Sequence, residues 1–559
     1  MLRFFPAFAL LILVVPVLFG LVGTLLPAFG YLPALGGEQL SLSAFGALWA
    51  QPGIVHSARQ AFVIGLASTA ISVCMVAGFV SAWYGTRSFR ATQHLVSPLL
   101  AVPHAAAAFG FAFMIAPSGY IARLLSPWLT GWDRPPDLLI VNDPMGLALI
   151  AGLVVKEVPF LLLVTLAALP QVQAVKAVHL TQSLGYGRMA GFIFAVWPSI
   201  YGQIRYPIFA VIAYSSANVD MSIILGPSTP YTLPVRLVGW MNDTELSMRF
   251  MACAGALLQI AVTGFALLIW LFIERFAGGV ARNLIELGYR LKRDGWLRII
   301  ASVSMTASSL IVFGGLVILA IWSVSGLWQF PNSLPNSLSF RAWNMTLPGL
   351  SRPLWTTVVL GVSSVIISVI ITIACLAREQ QTGRSGGNRA LLFLYVPLLV
   401  PQIGFLFGLQ LLLLNFNAST NWAALIFVHV VFVLPYVFLS LSAPWRSYDT
   451  RYEAIAAALG TSPWRIFLQV RFPMLLRAVL AAAAVGFAVS IGQYLPTLLI
   501  GAGRFSTITT EAVALGSGGN RRIIGIYAFL QMILPFIGFL LASLVPALIF
   551  RNRRAIKGL

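Results

Sequence analysis

Long apolar stretches, separated by shorter polar segments, run along the whole chain. Most are close to the roughly 20 residues that a helix needs to cross the hydrocarbon layer of a bilayer. The pattern predicts twelve membrane-spanning helices, near residues 7–29, 57–84, 95–117, 144–168, 200–224, 249–273, 299–324, 354–377, 390–414, 422–443, 478–500 and 523–550. We therefore expect an all-α integral membrane protein.

The first apolar run, from Pro6 to about Phe29, is long for a signal peptide, and no small-x-small cleavage site follows it. We expect it to be a retained first span. Most Lys and Arg residues fall in segments that are cytoplasmic when the N-terminus is inside, which is the usual bias of membrane proteins. An even number of spans then places both termini in the cytoplasm. The clearest markers are Arg282, Arg290, Lys292, Arg293, Arg298, Arg551, Arg553 and Arg554.

The composition agrees with a lipid environment. Hydrophobic residues make up 59% of the 559 positions and charged residues only 9%, whereas soluble domains carry about 25% charged residues. The net charge of +20 therefore reflects cytoplasmic loops rather than nucleic-acid binding. The three cysteines lie in apolar stretches without a CxxC pair, and the five histidines are scattered, which argues against disulfides and metal sites.

The chain also contains an internal repeat. Gly185 is followed thirteen residues later by Pro198, and Gly460 is followed thirteen residues later by Pro473. The offset of 275 positions continues to Gly226 and Gly501. A shared spacing of this length indicates duplication. We predict a first half over 1–274 (core about 57–273), a basic linker over 275–298, and a second half over 299–559 (core about 354–550).

The repeated segments predict a helix, a turn and a second helix along the cytoplasmic surface. Ala456 to Leu459 favour helix, and Gly460 permits a backbone break. Thr461 and Ser462 can cap a following helix that has Pro463 in its first turn. An amphipathic loop helix that merely packs on the bundle is the simpler interpretation. Two copies at one spacing argue against it.

This segment resembles the EAA loop of bacterial ABC importer permeases, in which Glu-Ala-Ala is followed after three residues by Gly and nine residues later by I-x-L-P. The second copy has Glu453, Ala454, Gly460 and Pro473, with Ile455 as the third residue, four residues rather than three before Gly460, and Arg471-Phe472 before the proline. The first copy has Gly185 and Pro198 but Val178-His179-Leu180 at the start.

Over most of its length, and especially over 485–519, the chain resembles the fused permeases of thiamine-type and ferric-iron-type importers of enterobacteria. The resemblance implies two six-helix type-I units in the bacterial inner membrane. The partners would be two copies of a cytoplasmic ATPase, docking at both loops, and a periplasmic solute-binding protein. The chain has no GxxxxGK[ST] phosphate loop, so ATP and Mg²⁺ would be used by the ATPase, and the permease is neither an enzyme nor a cofactor carrier. Alternating access would move a small, thiamine-like or iron-type solute inward.

Charged residues inside apolar runs are costly and mark candidate pathway positions. Lys156 and Glu157 lie in the fourth span, and Asp220 lies near the outer end of the fifth. Gln493 and Tyr494 occupy the matching region of the second half. For Lys156 and Glu157, contact with the pathway and a structural ion pair with a neighbouring helix are equally open. For Asp220 the simpler alternative is a solvated helix end.

The glycine-rich segments after the fifth and eleventh spans predict extracytoplasmic loops. By family position they suggest a gate or a docking surface for a binding protein, with Gly226, Gly501, Gly503, Arg504 and Glu511 as candidates. No nucleophile-base pair indicates catalysis. An ion-coupled secondary transporter with two six-helix repeats also explains twelve spans and buried charge. It does not explain the two matched Gly-to-Pro loops.

Overall fold

The computed structural model describes residues 2–383, 388–415, 421–516 and 518–551, so Arg553 and Arg554 lie outside it. Within these ranges the chain is helical, with isolated β-bridges and no β-strand. The helices of the first half are α1 (Phe5–Ala28), α2 (Ser43–Trp49), α3 (Ile54–Trp83), α4 (Arg87–Val96), α5 (His104–Ile115), α6 (Tyr120–Leu125), α7 (Leu147–Ala168), α8 (Ala174–Ser183), α9 (Arg188–Ala195), α10 (Trp197–Ser216), α11 (Asp220–Leu225), α12 (Leu233–Met241) and α13 (Met248–Glu286).

Eleven helices follow after residue 294 in the described part of the chain. The helices of the second half are α14 (Gly295–Ser323), α15 (Arg341–Thr382), α16 (Asn388–Leu399), α17 (Gln402–Asn415), α18 (Trp422–Arg446), α19 (Arg451–Ala458), α20 (Pro463–Ile466), α21 (Phe472–Ile491), α22 (Tyr494–Gly501), α23 (Ile508–Gly516) and α24 (Arg521–Ile549). A π-helical turn at Phe467–Arg471 joins α20 to α21.

Ten helices in the described part of the chain are long and apolar enough to cross a membrane. The pair α16–α17, bent by 87°, would make eleven. The remaining predicted span, 200–224, is divided between α10 and the short α11. Gln203 and Arg205 interrupt the apolar run of α10. Transmembrane crossing by this twelfth segment, and the cytoplasmic location of the termini, remain predictions.

The third span begins later than the sequence pattern predicts. Over the predicted 95–117, the chain finishes α4 and forms a 3₁₀ turn at Ser97–Ala101, and α5 begins only at His104. Pro98 lies in the turn, and Pro103 precedes the first residue of α5. Proline cannot donate an interior helical hydrogen bond, so these two prolines separate the amphipathic start of this stretch from its buried part.

The connection between the halves is shorter than the predicted linker. Helix α13 continues to Glu286 and α14 begins at Gly295. The residues that are not helical are 287–294, hereafter the connecting segment. The polar end of α13 remains helical because Arg, Asn and Glu are compatible with helix outside the bilayer.

Helix boundaries reproduce the repeat seen in the sequence. Helices α10 and α21 begin and end 275 positions apart, and so do α12 and α23. The offset that relates the glycines and prolines therefore also relates whole helices. The helix boundaries therefore support the duplication independently of the residues that define the motif.

Each half packs its first helix against the other half. Helix α1 lies along α17, and α14 lies along α5. Both contacts are backbone to backbone: a Cβ on Gly408 would lie 2.0 Å from the Gly20 oxygen, and one on Gly110 would lie 2.9 Å from the Gly315 carbonyl carbon. Small residues allow such close approach between helices within membranes.

Candidate functional site: two matched loops and a buried polar cluster

The first loop, residues 174–198, has the predicted helix–turn–helix form. Helix α8 ends at Ser183, and Gly185 has a left-handed φ of +85°. Helix α9 follows, and Pro198 lies in the first turn of α10. A residue with a side chain would be strained at this φ, so glycine suits the turn.

The second loop, residues 451–473, repeats this arrangement. Helix α19 is followed by Gly460 at φ +79°, and Pro463 begins α20. Ser462 occupies the cap position, as expected, but its side chain makes no capping hydrogen bond. Pro473 lies in the first turn of α21.

Both loops expose apolar side chains at equivalent positions. Leu180 and Ile455 are 64% and 60% exposed, and Leu184 and Leu459 are 56% and 80% exposed. The members of each pair are 275 positions apart. Ala454 is exposed beside them, so another chain can approach the backbone of α19 closely. These exposed side chains are available for contact with another protein.

Glu453, the acidic residue of the EAA-like motif, is held by Arg471. The Arg471 Nη2 donates a hydrogen bond of 2.6 Å to the Glu453 Oε2, and its Nε donates to Oε1. The guanidinium also lies over the rings of Trp445 and Tyr448. Burial and, after it, the nearby Glu453 carboxylate raise the pKa of Tyr448 to about 12. The pair therefore fixes the start of the second loop to its end.

Arg471 was not among the residues selected from the sequence. The signal was present in the motif itself, where Arg471 occupies the position between the expected Ile and Leu. Its side chain lies eighteen residues from Glu453 in the chain. Glu453 lies in the first turn of α19, and Arg471 lies beyond the turn and the short helix that follow, so the fold of the loop must be known before the pair can be recognised.

The intramembrane acids predicted from the sequence lie in one region, hereafter the buried polar cluster. It comprises His104, Glu157, Tyr214 and Asp220 from the first half and Tyr436 and Tyr494 from the second. Glu157 and Asp220 are 4% and 6% exposed. His104 contacts both Glu157 (3.5 Å from Nε2 to Oε1) and the Tyr214 ring, whose centroid lies 4.6 Å away.

The cluster combines elements from both halves. Asp220 accepts a hydrogen bond of 2.8 Å from the Asn218 side chain and lies within electrostatic range of His104 and Tyr494. It begins α11 and is buried, so the alternative of a solvated helix end is wrong. Lys156, also buried, lies within electrostatic range of Glu157. Gln493 precedes α22 and is only partly buried.

The candidate gate residues differ in accessibility. Gly226 and Gly501 are buried at helix ends, and the Gly226 carbonyl accepts a hydrogen bond from Asn142. Gly503, with φ +74°, and Arg504 are exposed, and Glu511 on α23 is partly exposed. Only the last three present surface to a partner. In the described ranges, no group of three or more His, Cys, Asp or Glu residues is placed to hold a metal ion.

Comparison with known proteins identifies relatives of one type. No family model matches the chain. The chain is 31% identical over 524 residues to the inner membrane ABC transporter permease protein YnjC of Escherichia coli K12, covering 93% of both chains. It is 25% identical over 209 residues to the spermidine/putrescine transport system permease PotC homolog of Mycoplasma pneumoniae, covering 37% of this chain and 72% of that protein.

A third relative, the molybdenum transport system permease ModB of Mycobacterium bovis, is 28% identical over 177 residues. The match covers 29% of this chain and 67% of that protein. The full-length match and the apolar helices place the protein in the bacterial inner membrane. They favour the ATP-driven interpretation over the ion-coupled one. The chain belongs to the ABC transporter permease family.

Proposed function

We propose that this protein is the membrane-spanning subunit of a binding-protein-dependent importer, and that the first and second loops each receive one copy of a cytoplasmic ATPase. The observation that carries the proposal is the repetition of the exposed pairs Leu180/Leu184 and Ile455/Leu459 on the same helix–glycine–helix frame. An importer with two ATPase copies needs one such surface on each half.

The mechanism that fits this arrangement is alternating access. ATP binding would bring the two ATPase copies together and draw the first and second loops with them. The loops continue directly into α10 and α21. Movement of the loops would therefore reach the region where α11 and α22, the next helices of each half, meet the buried polar cluster.

The buried polar cluster supports a positively charged cargo. Glu157 and Asp220 are acids with low exposure, while His104, Tyr214 and Tyr436 are partly exposed beside them. Aromatic faces and carboxylates together attract cations. A thiamine-like or iron-type solute fits this chemistry, and the varied cargoes in the relatives' names, polyamine and molybdenum, do not select one.

A periplasmic solute-binding protein would deliver the cargo. Gly503, Arg504 and Glu511 are the accessible residues through which it could dock, at the end opposite the two loops. The buried Gly226 and Gly501 would instead take part in gating, since each ends a helix that leads to the cluster.

Co-purification with a candidate ABC ATPase subunit from the same organism tests the proposal. A variant in which Leu180, Leu184, Ile455 and Leu459 are all changed to Asp should lose the ATPase while retaining its elution volume in detergent. Leu338→Asp is a matched control, because Leu338 is 71% exposed in another part of the molecule. ATPase capture by the quadruple variant at the wild-type level would contradict the proposal. Uptake that persists in vesicles without ATP would instead support the ion-coupled alternative.

A further inference from the structure

The connecting segment lies against the first loop. The Gly187 amide donates a hydrogen bond of 3.0 Å to the Arg290 carbonyl, and a Cβ on Gly187 would lie 2.2 Å from the Leu291 oxygen. The Met189 amide donates a hydrogen bond of 2.8 Å to the Asp294 carboxylate. Backbone contacts and a buried carboxylate thus fix the segment in place.

Asp294 also has a role in the local helix. It is 9% exposed, and its carboxylate accepts from an amide in the first turn of α9. A carboxylate at this end of a helix satisfies a free amide and interacts favourably with the helix dipole. The acidic residue of the segment is therefore occupied within the protein and is not presented to a partner.

The basic side chains of the segment remain on the surface. Arg290, Lys292 and Arg293 are exposed, and none of them takes part in the ion pairs found among the described residues. Two of them reach the turn of the first loop: a Cβ on Gly185 would lie 3.1 Å from the Arg290 Nη1 and 3.8 Å from the Lys292 Cε. The first loop is therefore cationic on this side.

Among the described residues, no segment makes a comparable contact with the turn of the second loop. A Cβ on Gly460 would meet no atom within 4 Å. Of its four charged residues, Glu453 and Arg471 pair with each other, Arg451 pairs with the preceding Asp449, and Arg465 is exposed. The two halves thus share apolar docking residues but differ in charge.

We propose that the docking surface of the first half is composite, formed by α8 together with the connecting segment, and that its basic side chains bind an acidic edge of the ATPase subunit. Charge complementarity identifies the occupant, since Arg290 and Lys292 reach the turn that follows the exposed Leu180 and Leu184, and neither belongs to an ion pair found among the described residues. The exposed Leu287 and Leu291 extend the apolar part of the surface. This inference rests on the proposed function of the two loops.

Two consequences follow for binding. Charge attraction between exposed groups is screened by salt, so ATPase binding to the first half should weaken with ionic strength more than binding to the second. The basic side chains should also compensate for the missing Glu-Ala-Ala start of the first loop, where Val178, His179 and Leu180 stand.

The test uses the full chain carrying Ile455→Asp and Leu459→Asp, so that ATPase binding reports the first half. It is performed in nanodiscs of phosphatidylcholine. Arg290→Glu with Lys292→Glu should raise the Kd for the ATPase about tenfold at low salt and remove most of the salt dependence. The control, Arg275→Glu with Arg282→Glu, reverses two exposed basic residues on the neighbouring α13 and should change the Kd less than twofold, or about 0.4 kcal/mol.

The two substitutions should leave the fold unchanged, because the connecting segment contacts Gly187 through the backbone of Arg290 and Leu291 rather than through their side chains. An unchanged Kd in the Arg290/Lys292 variant would overturn the inference. So would a change in Kd that is seen only in nanodiscs containing phosphatidylglycerol, since the segment would then bind anionic lipid. Absence of ATPase binding to the unaltered chain would instead refute the proposed function.

Discussion

Arg471 and Glu453 form a two-point ion pair across the second loop, with 2.6 Å between the Arg471 Nη2 and the Glu453 Oε2. The side chains are 12% and 22% exposed. The pair connects the start of α19 with the π-helical turn that leads into α21. It thus joins the docking helix to the helix that continues into the membrane.

Removing this pair should loosen the second loop. Arg471→Ala and Glu453→Ala should each lower stability, and the double variant should show a coupling energy of about 1 kcal/mol. Arg471→Lys should not restore it, because an ammonium cannot make the two parallel hydrogen bonds. Thermal unfolding of the four proteins in detergent measures the coupling, and additive effects would contradict it.

Glycine substitutions should distinguish the two loops. Gly187→Ala places a methyl group against the Leu291 oxygen and should displace the connecting segment. Gly460→Ala meets no atom and should cost only the strain of a left-handed backbone, about 1 kcal/mol. Limited trypsin digestion reports the difference, since Arg290, Lys292 and Arg293 are cleavage sites. Equal cleavage rates in the two variants would contradict the contact described here.

Neutralising the buried polar cluster should impair transport without releasing the ATPase. We expect Glu157→Gln or Asp220→Asn to reduce uptake about tenfold, the equivalent of about 1.4 kcal/mol of lost interaction with a cationic solute. Asp143→Asn is the control, because the Asp143 carboxylate caps α7 through the Leu147 and Ala148 amides, outside the cluster. It should lower thermal stability more than uptake. Normal uptake by both cluster variants would exclude a role in the pathway.

The contact between α1 and α17 should tolerate no side chain at its centre. Gly408→Ala would press a methyl group on backbone atoms of Gly20 and Thr24, which no rotamer change can relieve. We expect a loss of about 3 kcal/mol. Gly239→Ala, in α12 with open space around it, should be neutral or slightly stabilising. The melting temperatures of the two variants test this expectation, and similar values would contradict the close contact between α1 and α17.

Sequence reasoning found the features that depend on local patterns. Apolar runs reveal spans because hydropathy is a property of neighbouring residues, and the recurrence of the Gly185 to Pro198 spacing from Gly460 to Pro473 can be counted along the chain. The late start of α5 was missed, since apolar residues around Pro98 and Pro103 continue the hydropathy signal while the prolines end the helix.

Contacts between distant segments could not be predicted in this way. Asp294 lies 105 residues from Met189, and nothing in either local sequence indicates that they meet. The gathering of Glu157, Asp220 and Tyr494 likewise depends on how α7, α11 and α22 pack. The sequence singles these residues out as polar groups in apolar surroundings, but their proximity comes from the fold.

The packing of each half's first helix against the other half has a mechanical consequence. Because α1 lies along α17 and α14 along α5, through glycine contacts on both sides, the halves are interlocked independently of the connecting segment. A chain cut within residues 287–293 should remain a single particle. If one half rotates relative to the other, α1 must move along α17 and α14 must move along α5. The two glycine contacts therefore couple the movements of both halves.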